Sequence, residues 1–150
     1  MVQRMKVTVD TNILVRAVIY DDAKQAKKAR KILEESTLVV ITLSSLCEFV
    51  WVLLRSYDIE ASDICRALKS LISATNVEVN RPAVEAGIIQ LEAGGDFADA
   101  VIAYEGKWLG GETFVSFDKK AIALFKKQNQ SAQLLLNWSA RRGSNPRPTA

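Results

Sequence analysis

The sequence of 150 residues contains no histidine, and its two cysteines, Cys47 and Cys65, do not form a CxxC pair. Without histidine there is no Ser-His-Asp triad, no Cys-His pair and no histidine-ligated zinc site. Any hydrolytic chemistry must therefore rest on carboxylates, on a bound metal ion, or on both. Two isolated thiols are typical of small core residues in a reducing compartment, so we expect a cytoplasmic protein.

A long apolar segment is also lacking. The longest apolar run, residues 38–54, contains a threonine, two serines and a glutamate, and it is too short and too polar to span a bilayer. Arg4 and Lys6 lead into a short strand rather than into the apolar region of a signal peptide. We therefore expect no membrane partner.

Net charge is absent over most of the chain. Residues 1–138 carry 17 basic and 17 acidic side chains, because three arginines lie in residues 139–150, which contain no acid. Nucleic-acid binding must therefore come from a local site rather than from bulk charge. We expect one domain over residues 1–138 and a disordered basic tail over 139–150. Residues 143–148 correspond to a DNA string that resembles the T-arm of a tRNA gene, which indicates accidental coding; a basic RNA-binding tail is the alternative.

Short β-branched segments alternate with capped, amphipathic helices. The pattern predicts strands at residues 7–9, 38–42, 77–79, 113–117 and 133–136, and helices at 13–20, 21–35, 44–57, 62–74, 82–94, 96–108 and 119–127. Ser44 or Ser45 is the expected N-cap of the third helix. This alternation is typical of an α/β fold in which helices cover both faces of a parallel sheet.

Two aspartates, Asp10 and Asp118, directly follow predicted strands one and four. If the strand order is 3-2-1-4-5, these strands are neighbours. Both aspartates would then lie at the switch point where doubly wound sheets bind ligands. Each aspartate is also a good N-cap for the next helix, which is the purely structural alternative.

Glu48 is the only acidic or basic side chain between Glu35 and Arg55. Its helix is otherwise mostly apolar, and a carboxylate buried there without a partner is costly. It lies one turn into the helix after the second strand, at the same end of the sheet as the strand-end aspartates. The alternative is an exposed position on a polar stripe with Ser44, Ser45 and Arg55.

Asp96 and Asp99 stand at i and i+3 where another helix begins. A capping pair is the structural alternative; we interpret Asp99 as functional and Asp96 as a cap with a supporting role. Several acids in one cleft repel one another unless a cation lies among them. Oxygen ligands without histidine or cysteine select Mg²⁺ or Mn²⁺, so the acids predict metal-assisted phosphodiester hydrolysis.

Polar side chains near these acids are candidate donors to the acids or to phosphates: Thr11, Asn12, Ser44 and Ser116. Four lysines share one face of the second predicted helix: Lys24, Lys27, Lys28 and Lys31. A solvated face is the first interpretation of these lysines, and an RNA-backbone track is the alternative. Trp51 and Trp108 are interpreted as core or interface residues rather than as base-stacking platforms.

Four segments in this order resemble the PIN-domain family, and most closely its VapC-type toxins: Val-Thr-Val-Asp10-Thr11-Asn12, the isolated Glu48, Asp96-Phe-Ala-Asp99-Ala-Val-Ile-Ala, and Thr-Phe-Val-Ser116-Phe-Asp118. The similarity covers residues 6–136. It implies a three-layer α/β/α fold with a parallel sheet of order 3-2-1-4-5. It also implies an Mg²⁺- or Mn²⁺-dependent endoribonuclease that leaves a 5′ phosphate and a 3′ hydroxyl. The family's four metal-holding acids fall on Asp10, Glu48, Asp99 and Asp118.

The same resemblance implies three partners: an RNA substrate such as tRNA or rRNA, a small VapB-type antitoxin, and a second copy in a homodimer. An antitoxin arginine would compete with the metal for the acids through charge-assisted hydrogen bonds. Apolar side chains around Trp51 and residues 64–72 would supply the rest of that contact.

Three rival interpretations remain. A receiver-like phosphoacceptor domain needs an acidic pair at the first strand, and Asp10 has no acidic neighbour. A phosphatase with an aspartyl nucleophile needs Asp-x-Asp, where this chain has Asn12. The third is a catalytically idle PIN-like interaction protein, which loss of RNA cleavage on Asp10→Asn would reject.

Overall fold

The computed structural model describes residues 5–136. The predicted tail at 139–150 lies outside the described residues. The chain divides into two compact units, Met1–Tyr104 and Glu105–Ala150, and the boundary between them falls within a helix. The first unit holds the first three strands of the chain, and the second unit holds the last two described strands.

Helices and strands alternate throughout the described part of the chain. The strands are β1 (Lys6–Thr8), β2 (Leu38–Val40), β3 (Val77–Glu78), β4 (Phe114–Ser116) and β5 (Ala132–Leu134). The helices are α1 (Thr11–Val18), α2 (Ala23–Glu35), α3 (Leu43–Arg55), α4 (Ala61–Ser73), α5 (Arg81–Glu92), α6 (Phe97–Trp108) and α7 (Lys119–Lys127). Each predicted element is present, with its ends shifted by at most two residues. Among residues 5–136, no helix has both the length and the apolar character needed to cross a membrane.

All strand pairs in the described residues are parallel. In the first unit β2 lies between β1 and β3, with Thr8 opposite Val40 and Val40 opposite Glu78. In the second unit β4 pairs with β5. Both arrangements agree with the predicted order and with the α/β class; the pairing of strand one with strand four stays a prediction.

Side-chain caps determine where several helices begin. The Oδ1 of Asp22 accepts hydrogen bonds from two backbone N–H groups in the first turn of α2, each at 3.1 Å. The Oγ1 of Thr42 accepts the N–H of Ser45 at 3.2 Å, so Thr42 caps α3. The expected cap at Ser44 or Ser45 is wrong. Thr42 still has extended backbone angles where β2 ends, and its hydroxyl is therefore the first that reaches the free N–H groups.

One apolar cluster forms the core of the first unit. Helix α3 contributes Leu46, Phe49 and Leu53, which are all fully buried. Helix α4 contributes its inner face, where Ile64, Leu68 and Ile72 are at most 6% exposed. The expectation that residues 64–72 offer an apolar surface to an antitoxin is therefore wrong for these three residues, because the core already covers them.

Neither cysteine is exposed. Cys65 is buried on α4, and Cys47 is half-buried on α3; they form no disulfide. Burial raises the pKa of the Cys65 thiol, and the nearby charge of Glu92 acts in the same direction. A thiol with a raised pKa is less often the reactive thiolate, which agrees with the predicted structural role of Cys65.

The second unit packs its helix on its two strands. The rings of Phe114 on β4 and Phe125 on α7 lie with centroids 4.8 Å apart, at a tilt of 54°. Ile122 and Phe125 are buried. The hydroxyls of Thr113 and Ser131 join the starts of β4 and β5 through a 2.9 Å hydrogen bond.

Neither Trp51 nor Trp108 belongs to the core. The two side chains are 56% and 75% exposed. The interpretation of these residues as core is therefore wrong, while a role in an interface stays open. Trp51 lies on α3 in the first unit, on the helix that also carries Glu48.

Gly87 on α5 allows close approach of the Phe97 ring. A Cβ at position 87 would lie 2.5 Å from Cε1 and 2.6 Å from Cδ1 of that ring, and Phe97 is only 1% exposed. An alanine would gain about 1 kcal/mol of helix propensity. Because a buried ring has little room to move, overpacking that costs about 1–3 kcal/mol should outweigh the gain.

Gly87→Ala is therefore expected to lower the melting temperature by several degrees. Gly106→Ala is the matched control, because a Cβ there meets nothing within 4 Å on α6. That variant should raise the melting temperature by about 2–4 °C per kcal/mol gained. Thermal unfolding of both variants measures the difference; a rise for Gly87→Ala would contradict the close packing of Phe97.

Candidate functional site

Asp10 is exposed where β1 ends. Its Oδ1 accepts the backbone N–H of Ile13 at 3.2 Å, so Asp10 is the N-cap of α1. The ladder between β1 and β2 continues up to this point, since the N–H of Val9 donates to the carbonyl of Val40 at 3.2 Å. The carboxyl ends of these two strands therefore lie side by side, and α1 and α3 both begin at this end of the sheet.

Thr11 connects the two helices at this end. Its hydroxyl lies 3.0 Å from Oε1 of Glu48 and 3.3 Å from the backbone carbonyl of Ser45, and it donates to these acceptors. A hydroxyl has a single hydrogen, so the two acceptors share it. Thr11 is only 8% exposed, and a buried hydroxyl is held in place by its surroundings. Asp10, Thr11 and Glu48 form the strand-end site.

Glu48 itself is exposed. The sequence suggested a buried carboxylate, but an exposed one carries no free-energy cost of burial. Glu48 lies on a polar stripe of its helix, which was the alternative interpretation. It also lies at the same end of the sheet as Asp10. These two interpretations do not exclude each other, because the hydrogen bond from Thr11 fixes a carboxylate whose other side faces solvent.

The turn before α6 holds the next pair of acids. Gly94 adopts a φ of 90°, which a residue with a Cβ would reach only under strain. The N–H of Gly95 closes the turn by donating to the carbonyl of Gln90 at 2.8 Å. Asp96 is exposed, and its Oδ1 accepts the N–H of Ala98 at 3.1 Å, which agrees with its predicted capping role. Asp99 is half-buried in the first turn of α6.

In the second unit, Asp118 repeats the arrangement of Asp10. It is exposed after β4 and caps α7, accepting the N–H groups of Lys120 at 2.9 Å and Ala121 at 3.2 Å. The Oγ of Ser116 accepts the N–H of Asp118 at 3.0 Å. Ser116 therefore fixes the turn that carries the acid, rather than donating to the carboxylate.

The donor chemistry of the strand-end site fits a hard divalent cation. Asp10 uses Oδ1 and Glu48 uses Oε1 in the bonds above, and their second oxygens accept no hydrogen bond from residues 5–136. Carboxylate oxygens of this kind are the ligands that Mg²⁺ takes. Within the same residues, no three Asp, Glu or Cys side chains are grouped to hold a metal. The convergence of all four acids thus stays a prediction.

A groove of about 420 Å³ lies between α1 and α2, and its lining begins at Asn12, the residue after Thr11. Its polar lining comes from Asn12, Arg16, Gln25 and Lys28. Asp21 binds the Arg16 guanidinium at 2.7 Å, and this hydrogen bond and charge raise the pKa of Arg16. Only Lys28 of the four lysines lines the groove, although all four are exposed. Arg16 and Gln25 were not among the predicted site residues, although helical spacing from Asn12 and Lys28 indicates them.

The comparison with protein families points to one family. The model of the PIN domain matches residues 7–127, from β1 to the end of α7. No curated protein matches the chain. The matched range includes the four predicted metal-binding acids, and PIN domains are generally nucleases. Because the match covers well over half of the 150 residues, the chain belongs to the PIN domain family.

Proposed function

We propose that this protein is an Mg²⁺- or Mn²⁺-dependent endoribonuclease and the toxin of a type II toxin–antitoxin module. The proposal rests mainly on one observation, the hydrogen bond that the Thr11 hydroxyl donates to Glu48. It joins a carboxylate of α3 to the residue that follows Asp10, at the sheet end where α/β proteins bind ligands. Membership of a family of nucleases supports the same reaction class.

Four acids provide the ligands in this proposal. Asp10 and Glu48 are the pair at the strand-end site, and each keeps one carboxylate oxygen outside the hydrogen bonds found among residues 5–136. Asp99 from α6 and Asp118 from the turn after β4 complete the set. Together these acids would hold a divalent cation, which would supply a water of lowered pKa and positive charge near the leaving 3′ oxygen.

The other residues position these acids or contact RNA. Thr11 holds the carboxylate of Glu48 through its O–H. Asp96 and Ser116 fix the turns before Asp99 and Asp118 through their bonds to backbone N–H groups.

Groove residues bind the RNA backbone in this proposal. Asn12 and Lys28 line the groove next to the strand-end site and donate to phosphate oxygens. The exposed Lys24, Lys27 and Lys31 extend the positive surface along α2. Because Asp10 and Glu48 repel phosphate when no cation is present, RNA binding and cation binding should reinforce each other.

Cleavage of purified tRNA and rRNA tests the reaction class. We expect cleavage with Mg²⁺ or Mn²⁺, none with EDTA, and products that carry a 5′ phosphate. Robust cleavage in EDTA would contradict the proposed dependence on a metal ion. No cleavage of any RNA with either metal would favour the idle interaction protein instead.

The toxin role requires a partner that blocks the acids. An arginine of a small VapB-type antitoxin can form charge-assisted hydrogen bonds to Asp10 and Glu48 and so compete with the cation. We propose that the toxin acts as a homodimer in the cytoplasm. Co-expression with the product of a small neighbouring gene should give a stable, inactive complex. If no such product binds and overexpression is harmless, the toxin role fails while the nuclease role stands.

A further inference from the structure

The outer face of α3 combines a proposed metal ligand with a large exposed aromatic side chain. Ser44, Glu48, Trp51 and Arg55 follow one another at helical spacing, and all four are exposed. On the opposite face of the same helix, Phe49 is fully buried. Phe49 is therefore the aromatic residue that α3 contributes to the core cluster, and Trp51 is not part of that cluster.

Trp51 lies close to the strand-end site because of helix geometry. Residues at i and i+3 on a helix have Cβ atoms about 5–6 Å apart, which places Trp51 next to Glu48. The Glu48 carboxylate is itself fixed by the 3.0 Å hydrogen bond from Thr11. The Cβ of Trp51 is therefore one helical turn from that of Glu48, which is within reach of a base next to the phosphodiester that would react.

Arg55 lies one turn beyond Trp51 on the same face. It forms no ion pair with any other residue between 5 and 136. Its charge is therefore available to a phosphate of a strand that passes over the indole. An aromatic platform next to an unpaired cation is the combination with which proteins bind single-stranded nucleic acids.

We propose that Trp51 stacks on an unpaired RNA base that flanks the scissile phosphate, while Arg55 contacts the backbone of the same strand. This inference rests on the proposed ribonuclease function. Stacking tolerates every base, because each base has a π-face. Trp51 therefore selects unpaired over paired RNA, such as loops over stems, and selects little by sequence. The exposure of Trp51 excludes a core role, and a role in a protein interface is the alternative outcome of the tests below.

Cleavage kinetics of Trp51→Leu and Trp51→Phe test the proposal on a short unpaired RNA. We expect Trp51→Leu to raise KM roughly five- to 150-fold, the range known for one stacked base, with kcat little changed. Trp51→Phe keeps a stacking ring and should stay close to the wild type. Trp108→Leu is the matched control, since it removes another exposed tryptophan, and its KM should not change.

A series of RNAs that each lack one base identifies the contact. In the wild type, one abasic position next to the cleaved bond should raise KM about as much as Trp51→Leu does. In Trp51→Leu that same abasic position should add nothing. The proposal would be overturned if the abasic position raised KM as much in Trp51→Leu as in the wild type, so that the two effects added. It would also be overturned if Trp51→Leu left KM unchanged. In both cases the nuclease function would stand.

Two further results would also overturn it. If Trp51→Leu dissociates a dimer, or loses the antitoxin, while its KM for RNA stays normal, the indole belongs to a protein interface. If the wild type cleaves no RNA at all, the proposed function itself fails, and the stacking role fails with it. These outcomes are distinguishable by sedimentation and by the wild-type assay.

Discussion

Asp10→Asn is expected to slow RNA cleavage at least about a hundredfold, since a catalytic cation contributes several kcal/mol to transition-state stabilisation and 1.36 kcal/mol corresponds to a factor of ten. The fold should survive. Asparagine is as good an N-cap as aspartate, so it can still accept the N–H of Ile13 at the start of α1. Rates of RNA cleavage and melting temperatures, measured on the same preparations, test both parts.

Asp22→Asn is the matched control for this prediction. Asp22 is also an N-cap, and it accepts two backbone N–H groups in the first turn of α2, but it lies outside the strand-end site. Its replacement should leave the cleavage rate unchanged. Equal effects of the two substitutions, or full activity of Asp10→Asn, would mean that Asp10 only caps its helix.

Thr11→Val should cost about 10- to 100-fold in apparent Mg²⁺ affinity or activity, the usual range for a residue that orients a metal ligand. Valine keeps the shape of threonine but loses the hydroxyl that donates to Glu48. Thr11→Ser restores a hydroxyl and should recover most of the loss. The measurement is the Mg²⁺ dependence of RNA cleavage for each variant.

The combination with Glu48→Ala shows whether Thr11 acts through Glu48. A double-mutant cycle isolates their coupling. Once the Glu48 carboxylate is gone, Thr11→Val should have no further effect on residual activity. Independent, additive losses would instead assign Thr11 a purely structural role, through its contact with the Ser45 carbonyl at 3.3 Å.

The order of strands and helices was predictable because it depends on local patterns. Alternation of β-branched and amphipathic segments, with Asp22 and Asp10 as capping residues, places every element to within two residues. The cap of α3 was not predictable, since Thr42, Ser44 and Ser45 all carry suitable hydroxyls. Only the extended backbone at Thr42 decides between them.

The candidate site was predictable in its residues and only partly in its contacts. That Glu48 lies at the same sheet end as Asp10 follows from the position of both residues just after neighbouring strands. The hydrogen bond from Thr11 could not be predicted, because it joins residues 37 positions apart. The exposure of Trp51 was missed although a signal existed: positions 48 and 55 already marked a polar stripe, and position 51 lies on it.

Calorimetric titration of Mn²⁺ into metal-free protein tests the central claim, that Asp10 and Glu48 share one cation. The wild type and Asp22→Asn should bind Mn²⁺ with equal affinity. Asp10→Asn and Glu48→Gln should each bind at least about tenfold more weakly. Equal Mn²⁺ affinity in all four proteins, or no binding by the wild type, would contradict the account.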